Sequence, residues 1–262
     1  MLHTLKDITI PNFDLTGKVA LITGGSRGLG YATAVTFAHY GAKVAIAART
    51  EEDLNRVTEE LKSLGCSCLA IKTDVLEQEQ IDNMVAKTVE HFGKIDILVN
   101  SAGRASTVKA TEMSINEWDD VVDLDLKALF FVSQAVAKQM IEQGNGGKII
   151  NISSAAGVMG SKGIAHYCAA KAGVLHVTKS MALEWAKNGI LVNAICPGYF
   201  PTTLNEEWLA KPNVKEAIEN FTAVKRLATF DEVVAPILLL ASNHSGYITG
   251  THILIDGGAN AQ

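Results

Sequence analysis

Seven short apolar runs, alternating with longer amphipathic segments, constrain this chain more than any other feature of its sequence. They are Val19 to Ile22, Lys43 to Ala48, Ser67 to Lys72, Ile95 to Val99, Lys148 to Ile152, Leu191 to Ile195 and His252 to Ile255. Near-continuous hydrophobicity marks strands covered on two faces, and their alternation with helices is the pattern of a parallel sheet. The expected fold is α/β: one doubly wound domain over residues 17–262, a seven-stranded parallel sheet with helices on both faces, behind an N-terminal extension of residues 1–16. Thr50 with Asp53, Ser114 with Glu117 and Thr229 with Glu232 read as capping boxes, while Gly41, Gly65, Gly93 and Gly189 stand where helices end. Only Tyr199 to Thr229 breaks the rhythm. Excursions of that length are usually lids or binding loops, and this one offers Tyr199, Phe200, Trp208 and Phe221 as pocket walls.

Composition narrows the function. With 48% hydrophobic and 19% charged residues in 262, the chain has ample material for a core, which excludes disorder and coiled coil. Lys and Arg total 23 against 28 Asp and Glu, for a net charge of -5, and no stretch concentrates basic residues, so nucleic acid is not an expected partner. The longest apolar runs, such as Ala235 to Ala241, are far short of a bilayer span, and the N-terminus lacks the apolar stretch of a secretion signal. A cytoplasmic protein without membrane partners is expected. Cys66, Cys68, Cys168 and Cys196 form no CxxC pair or Cys/His cluster, which predicts reduced, mostly buried thiols and no metal site.

In an open parallel sheet, ligands bind beyond the carboxyl ends of the strands, so the residues after each strand carry the test of function. After the first comes TGGSRGLG, Thr23 to Gly30, opening directly into a helix. Gly24, Ser26, Arg27, Gly28, Leu29 and Gly30 would let a phosphate approach the helix N-terminus, although such a turn can also bind nothing. The second strand ends Ala47-Ala48-Arg49, without the carboxylate that would grip the ribose hydroxyls of NAD. Arg27 and Arg49 instead suit a 2′-phosphate, which favours NADP(H) over NAD(H); the alternative is two solvated arginines. Asp74-Val75 follows the third strand, placed either to accept from an adenine amino group or to cap a helix. Small residues at Asn100-Ser101-Ala102-Gly103, Ser153-Ser154 and Pro197-Gly198 leave room for a flat cofactor. Arg104, next after that fourth-strand turn, either meets a substrate carboxylate or is a solvated loop residue.

Tyr167 and Lys171 stand four residues apart, close to one helical turn, so phenol and ammonium share a face. A phenol is a weak base at neutral pH. A positive charge about 4 Å away at an effective dielectric of about 20 is worth about 4 kcal/mol, enough to bring proton exchange into the physiological range. His166 points about 100° away from Tyr167 around the helix and reads as a pocket-lining or packing residue.

Together these residues resemble the short-chain dehydrogenase/reductase family: TGxxxGxG at Thr23 to Gly30, a serine at Ser154 thirteen residues before the tyrosine, YxxxK at Tyr167 to Lys171, then Pro197-Gly198 and Asp256-Gly257-Gly258. The resemblance covers nearly the whole chain. It implies a Rossmann-type fold and an oxidoreductase moving a hydride between nicotinamide and a small-molecule ketone or secondary alcohol. It further implies that Tyr167 is the general acid or base, that Lys171 tunes it and holds the nicotinamide ribose, that Ser154 bonds the substrate oxygen, and that Thr202 holds the carboxamide. Within the family the PGYF segment is most similar to gluconate 5-dehydrogenase-like sugar-acid reductases, with 3-oxoacyl carrier-protein reductases as near relatives.

Two positions depart from the family pattern. Ser101 replaces the second asparagine of NNAG, and Asp125 stands where members carry an asparagine that binds a relay water. A backbone carbonyl at Asp125 would still hold that water, while an ionised carboxylate near Lys171 would offset part of its field and shift the oxidation profile to alkaline pH. The helices containing Ala128 to Met140 and Ala169 to Trp185 are apolar on more faces than one sheet contact buries, which predicts a homotetramer or homodimer. A catalytically silent NADP-binding sensor would leave Ser154, Tyr167 and Lys171 without a task. A methyltransferase would want an acidic residue at the second strand end.

Overall fold

The computed structural model describes residues 10–201, 209 and 211–261. All seven expected strands are present: β1 (Val19–Thr23), β2 (Lys43–Ala48), β3 (Cys68–Lys72), β4 (Ile97–Asn100), β5 (Gly147–Ile152), β6 (Ile190–Pro197) and β7 (His252–Ile255). They form one parallel sheet in the order β3-β2-β1-β4-β5-β6-β7. The helices among the described residues are α1 (Gly28–His39), α2 (Glu51–Ser63), α3 (Gln78–Phe92), α4 (Ile115–Val122), α5 (Leu129–Gln143), α6 (Ala165–Trp185), α7 (Pro212–Phe221) and α8 (Phe230–Ala241). No helix among those residues is long and apolar enough to cross a membrane.

The burial of both strand faces explains the continuous hydrophobicity of the runs. Ala20 and Ile22 of β1 pack with Phe37, Val57 and Ile237 from α1, α2 and α8. On the opposite face Leu21 packs with Met84, Val136 and Met181 from α3, α5 and α6. Alternate residues of one strand thus feed two separate apolar layers. β2 and β7 have the expected ends, and the other five strands differ from the sequence reading by one or two residues. Ser67 precedes β3 but still accepts from Val44 N, and Ile95 is buried ahead of β4. Ser114–Glu117 and Thr229–Glu232 are full capping boxes, whereas Thr50 makes no side-chain cap. Of the cysteines, Cys196 is buried and the other three are half-buried; all are free thiols, with burial pushing Cys66 and Cys196 up to about 11.

The end of the N-terminal extension belongs to the core. Leu15 is 1% exposed, the Asn12 N–H donates to His244 Nε2 at 3.0 Å, and Phe13 meets the His244 ring edge-on.

Candidate active site

Strand order reverses between β1 and β4, and in open α/β sheets the ligand crevice lies there, beyond the carboxyl ends. Thr23, the last residue of β1, is buried and accepts through Oγ1 from the N–H groups of Ser101 and Ala102 at 3.2 and 3.3 Å. One hydroxyl therefore holds the small-residue turn after β4 against the glycine turn after β1. The resulting cleft of about 310 Å³ falls within the range of small-molecule sites.

Most of the expected residues line this cleft. The first turn supplies Gly24, Ser26, Arg27, Gly28 and Leu29, and the next two strand ends supply Arg49, Asp74 and Val75. Ala102, Gly103 and Arg104 follow β4, Ser154 follows β5, and Pro197 and Gly198 close the rim at β6. Helical residues Asp125, Tyr167 and Lys171 complete it.

The glycine turn fits an anionic dinucleotide. At Gly28 φ is +56° and a Cβ would meet no neighbour within 4 Å, so the missing side chain leaves open space at the N-terminus of α1, where free N–H groups favour phosphate. Gly30 stands behind the wall, because a Cβ there would be driven into the Gly24 carbonyl oxygen; its role is close helix–strand packing. Arg27 and Arg49 are exposed, and neither has an ion-pair partner among the described residues.

The acid–base residues come from α6 and the segment before α5. One turn apart on α6, the Lys171 Nζ lies 5.5 Å from the centre of the Tyr167 ring. Lys171 donates to the Ile152 carbonyl at 3.0 Å and contacts Asp125 Oδ2 at 3.0 Å, with side chains 6% and 0% exposed. That ion pair is close but poorly aligned for a hydrogen bond. Burial works against the ammonium, yet Asp125 and then Tyr167 outweigh it and hold the Lys171 pKa above its ordinary value.

Asp125 points inward from a π-helical turn, Asp123–Ala128, that joins α4 to α5. Asp123 and Asp125, two residues apart, face opposite sides of it: Asp123 faces out to Lys127 at 3.2 Å, whereas Asp125 Oδ1 accepts from the Arg104 N–H at 2.9 Å. Among the two alternatives for this position, the carboxylate itself faces Lys171.

Ser154 Oγ accepts from the Ala156 N–H at 3.1 Å, which leaves its own O–H to donate. The Arg104 guanidinium pairs with Asp120 at 3.2 Å, half-exposed, so it is neither simply solvated nor free.

Several expectations are corrected. Asn100 does not line the cleft; its Nδ2 donates to Ser133 Oγ at 2.8 Å and Asn151 Oδ1 at 2.9 Å, because the pleat turns this side chain onto the sheet face covered by α5. Phe200 lines the cleft, packed edge-on against Phe230, whereas its neighbour Tyr199 and the exposed Phe221 do not. Thr202 and Trp208 lie outside the described residues. Asp74 serves an Asx turn, accepting from the Leu76 N–H at 3.1 Å, and α3 begins only at Gln78. His166 is fully buried, with Nε2 2.8 Å from Ser106 Oγ, in line with a packing role.

Two residues near the cleft carry weight that the sequence reading did not give them. Asp53, in the first turn of α2, lines the same cleft as Arg49. Ser153 donates to the Lys171 carbonyl at 2.8 Å and secures α6. Position in the first turn after β2 was the available signal for Asp53. Among the described residues, no group of three His, Cys, Asp or Glu is arranged to hold a metal ion.

The family model described as short chain dehydrogenase matches residues 18–213. The chain is 40% identical over 246 residues to 2-dehydro-3-deoxy-D-gluconate 5-dehydrogenase of Escherichia coli (strain K12), covering 94% of this chain and 96% of that one. It is 39% identical over 246 residues to the 3-oxoacyl-[acyl-carrier-protein] reductase of Synechocystis sp., covering 93% and 97%. A crystal structure of gluconate 5-dehydrogenase from Burkholderia cenocepacia J2315, in complex with NADP and tartrate, superimposes with a TM-score of 0.91 at 34% identity, covering 95% of this chain and 98% of that one. By sheet order, cleft position and these similarities, the chain is an oxidoreductase that belongs to the short chain dehydrogenase family.

Proposed function

We propose that the protein interconverts a secondary alcohol and a ketone on a sugar-acid-like substrate, using NADP(H) in preference to NAD(H). The nicotinamide dinucleotide, when bound, supplies the hydride donor or acceptor. The single observation that carries the reading is the convergence of Ser154, Tyr167 and the ion-paired Lys171 on the cleft that also contains the glycine turn.

Tyr167 acts as general acid in reduction and general base in oxidation, and the Ser154 O–H donates to the substrate oxygen as charge develops on it. Lys171 keeps its ammonium charge beside the Tyr167 ring, and with one hydrogen given to the Ile152 carbonyl and Asp125 held as an ion pair it retains a donor for a ribose hydroxyl. Asp125 tempers that ammonium. Gly24, Ser26, Gly28, Leu29, Ala102, Gly103, Pro197 and Gly198 would hold the dinucleotide, Asp74 and Val75 its adenine, and Arg27 and Arg49 the 2′-phosphate. Arg104 would meet a substrate carboxylate by exchanging Asp120 for it. The names of the sugar-acid dehydrogenases among the relatives, and the NADP in one of their structures, support this substrate class and cofactor.

Asp53 favours a second reading of the cofactor, in which its carboxylate grips ribose hydroxyls and NAD is accepted as well. Reduced-nicotinamide absorbance, followed with NADPH and NADH against keto sugar acids, polyols, 3-oxoacyl thioesters and steroid ketones, tests both points. Consumption of NADPH with keto sugar acids at least about tenfold faster than with thioesters is expected. Cofactor binding without turnover of any carbonyl would favour the silent sensor.

Residues 17–262 are taken as one domain, working in the cytoplasm as a homo-oligomer. Leu183 on α6 is 84% exposed and Phe131 on α5 is 37% exposed, which supports self-association through these helices. Sedimentation as a dimer or tetramer is expected.

A further inference from the structure

Arg56 lies in α2, outside the residues that line the cleft, yet it reaches back to the glycine turn. Its Nη2 donates to the Ser26 carbonyl at 3.0 Å, and its Nη1 pairs with Glu60 Oε1 at 2.9 Å. The guanidinium stands over the Tyr31 ring at 5.5 Å, and the Tyr31 hydroxyl donates to the other Glu60 oxygen at 2.6 Å. Turn, α1 and α2 are thus joined through one arginine. The charge states suit the arrangement: the Tyr31 hydroxyl, followed by Arg56, holds Glu60 below its ordinary range, and Glu60 in turn pushes the Tyr31 phenol up.

We propose that Arg56 is a positioning residue for phosphate binding, acting by fixing the peptide plane between Ser26 and Arg27. A trans peptide is planar, with its C=O and N–H directed oppositely. Holding the Ser26 oxygen toward Arg56 therefore turns the Arg27 N–H away from it, and Arg27 is the N-cap residue of α1 and makes no side-chain cap of its own. A two-donor fork held by Glu60 and the Tyr31 ring fixes the direction of that carbonyl more tightly than a single flexible ammonium would. Arg27 and Arg49 differ in kind, since their guanidinium groups are exposed on the cleft and are not ion-paired among the described residues.

The inference rests on reading the cleft as a dinucleotide site, and it divides the three arginines. Arg56 serves the phosphates common to all dinucleotides, whereas Arg49 serves the 2′-phosphate alone. Equilibrium titrations of the full chain with NADPH, NADH and ADP-ribose, read by intrinsic tryptophan fluorescence, test the division. In Arg56→Met the dissociation constants for all three ligands rise by a common factor of about ten, while Arg49→Met weakens NADPH alone. Arg56→Lys, which keeps the charge but not the fork, recovers only part of the loss. Amide hydrogen exchange of the unliganded protein, a readout independent of turnover, becomes faster at residues 24–29 in Arg56→Met and stays unchanged across residues 33–39. Unchanged affinities in Arg56→Met, or a loss confined to NADPH, would overturn the inference while leaving the dinucleotide site intact. Failure of the wild-type protein to bind any of the three would overturn the site reading, and the inference with it.

Discussion

The Lys171 ammonium and the Asp125 carboxylate face each other at 3.0 Å in the cleft wall, the first almost and the second wholly withdrawn from solvent. A buried charge pair of this kind couples the field acting on Tyr167 to the residue that occupies position 125.

Replacement of Asp125 by Asn removes the charge that tempers the ammonium. The rising limb of the alcohol-oxidation pH profile then moves toward acid by roughly one pH unit. The Lys171 pKa, which the carboxylate holds above its ordinary value against burial, falls as well, so the high-pH limb also retreats. Initial rates between pH 6 and 11 measure both; an unchanged profile would make the carboxylate mechanistically silent.

Lys171→Met leaves the Asp125 charge buried and unpaired, a situation that costs about 3–5 kcal/mol. The double variant Asp125→Asn/Lys171→Met regains most of that loss. Urea unfolding midpoints of the two singles and the double give the coupling; additive losses would contradict it.

Arg104→Ala raises KM about tenfold for substrates bearing a carboxylate and leaves neutral polyols unaffected, with kcat within about twofold for both. Equal effects on charged and neutral substrates would remove Arg104 from substrate recognition.

Arg226 first, and then the Thr229 N–H, lower the Glu232 pKa to about 2 from 4.5. A depressed carboxylate contributes stability that is fully present above its unfolded pKa and lost as pH falls through the folded value. Glu232→Gln therefore lowers Tm by about 2 °C at pH 7. The difference shrinks as pH falls from 4.5 through about 2, as the Glu232 carboxylate takes up its proton. Thermal unfolding across that interval checks the trend, and a gap constant with pH would contradict it.

Fold class and sheet were legible because the inner strands are buried on two faces and so announce themselves by uninterrupted hydrophobicity. The pairing of Tyr167 with Lys171 was legible because helical spacing alone brings them together. Asn100 and Asp125 were not fully readable, for different reasons. Pleat direction at the end of β4 turns Asn100 toward Ser133 and Asn151, and the sequence alone does not reveal which way a terminal strand residue faces. At Asp125 the spacing does not tell which groups its oxygens meet, and only the folded chain sets them against Lys171 and the Arg104 N–H. Arg56 was not legible because, beyond Glu60 one turn along its own helix, its partners Ser26 and Tyr31 come from other elements, and only the folded chain brings them within its reach.

Single-turnover hydride transfer by Tyr167→Phe, with cofactor affinity measured on the same preparation, tests the central claim most directly. Loss of the phenolic proton should slow transfer by about 10³-fold, within the range of general acid–base contributions, and leave the NADPH dissociation constant within about twofold of wild type. Transfer within tenfold of the wild-type rate would show that the proton moves through another group.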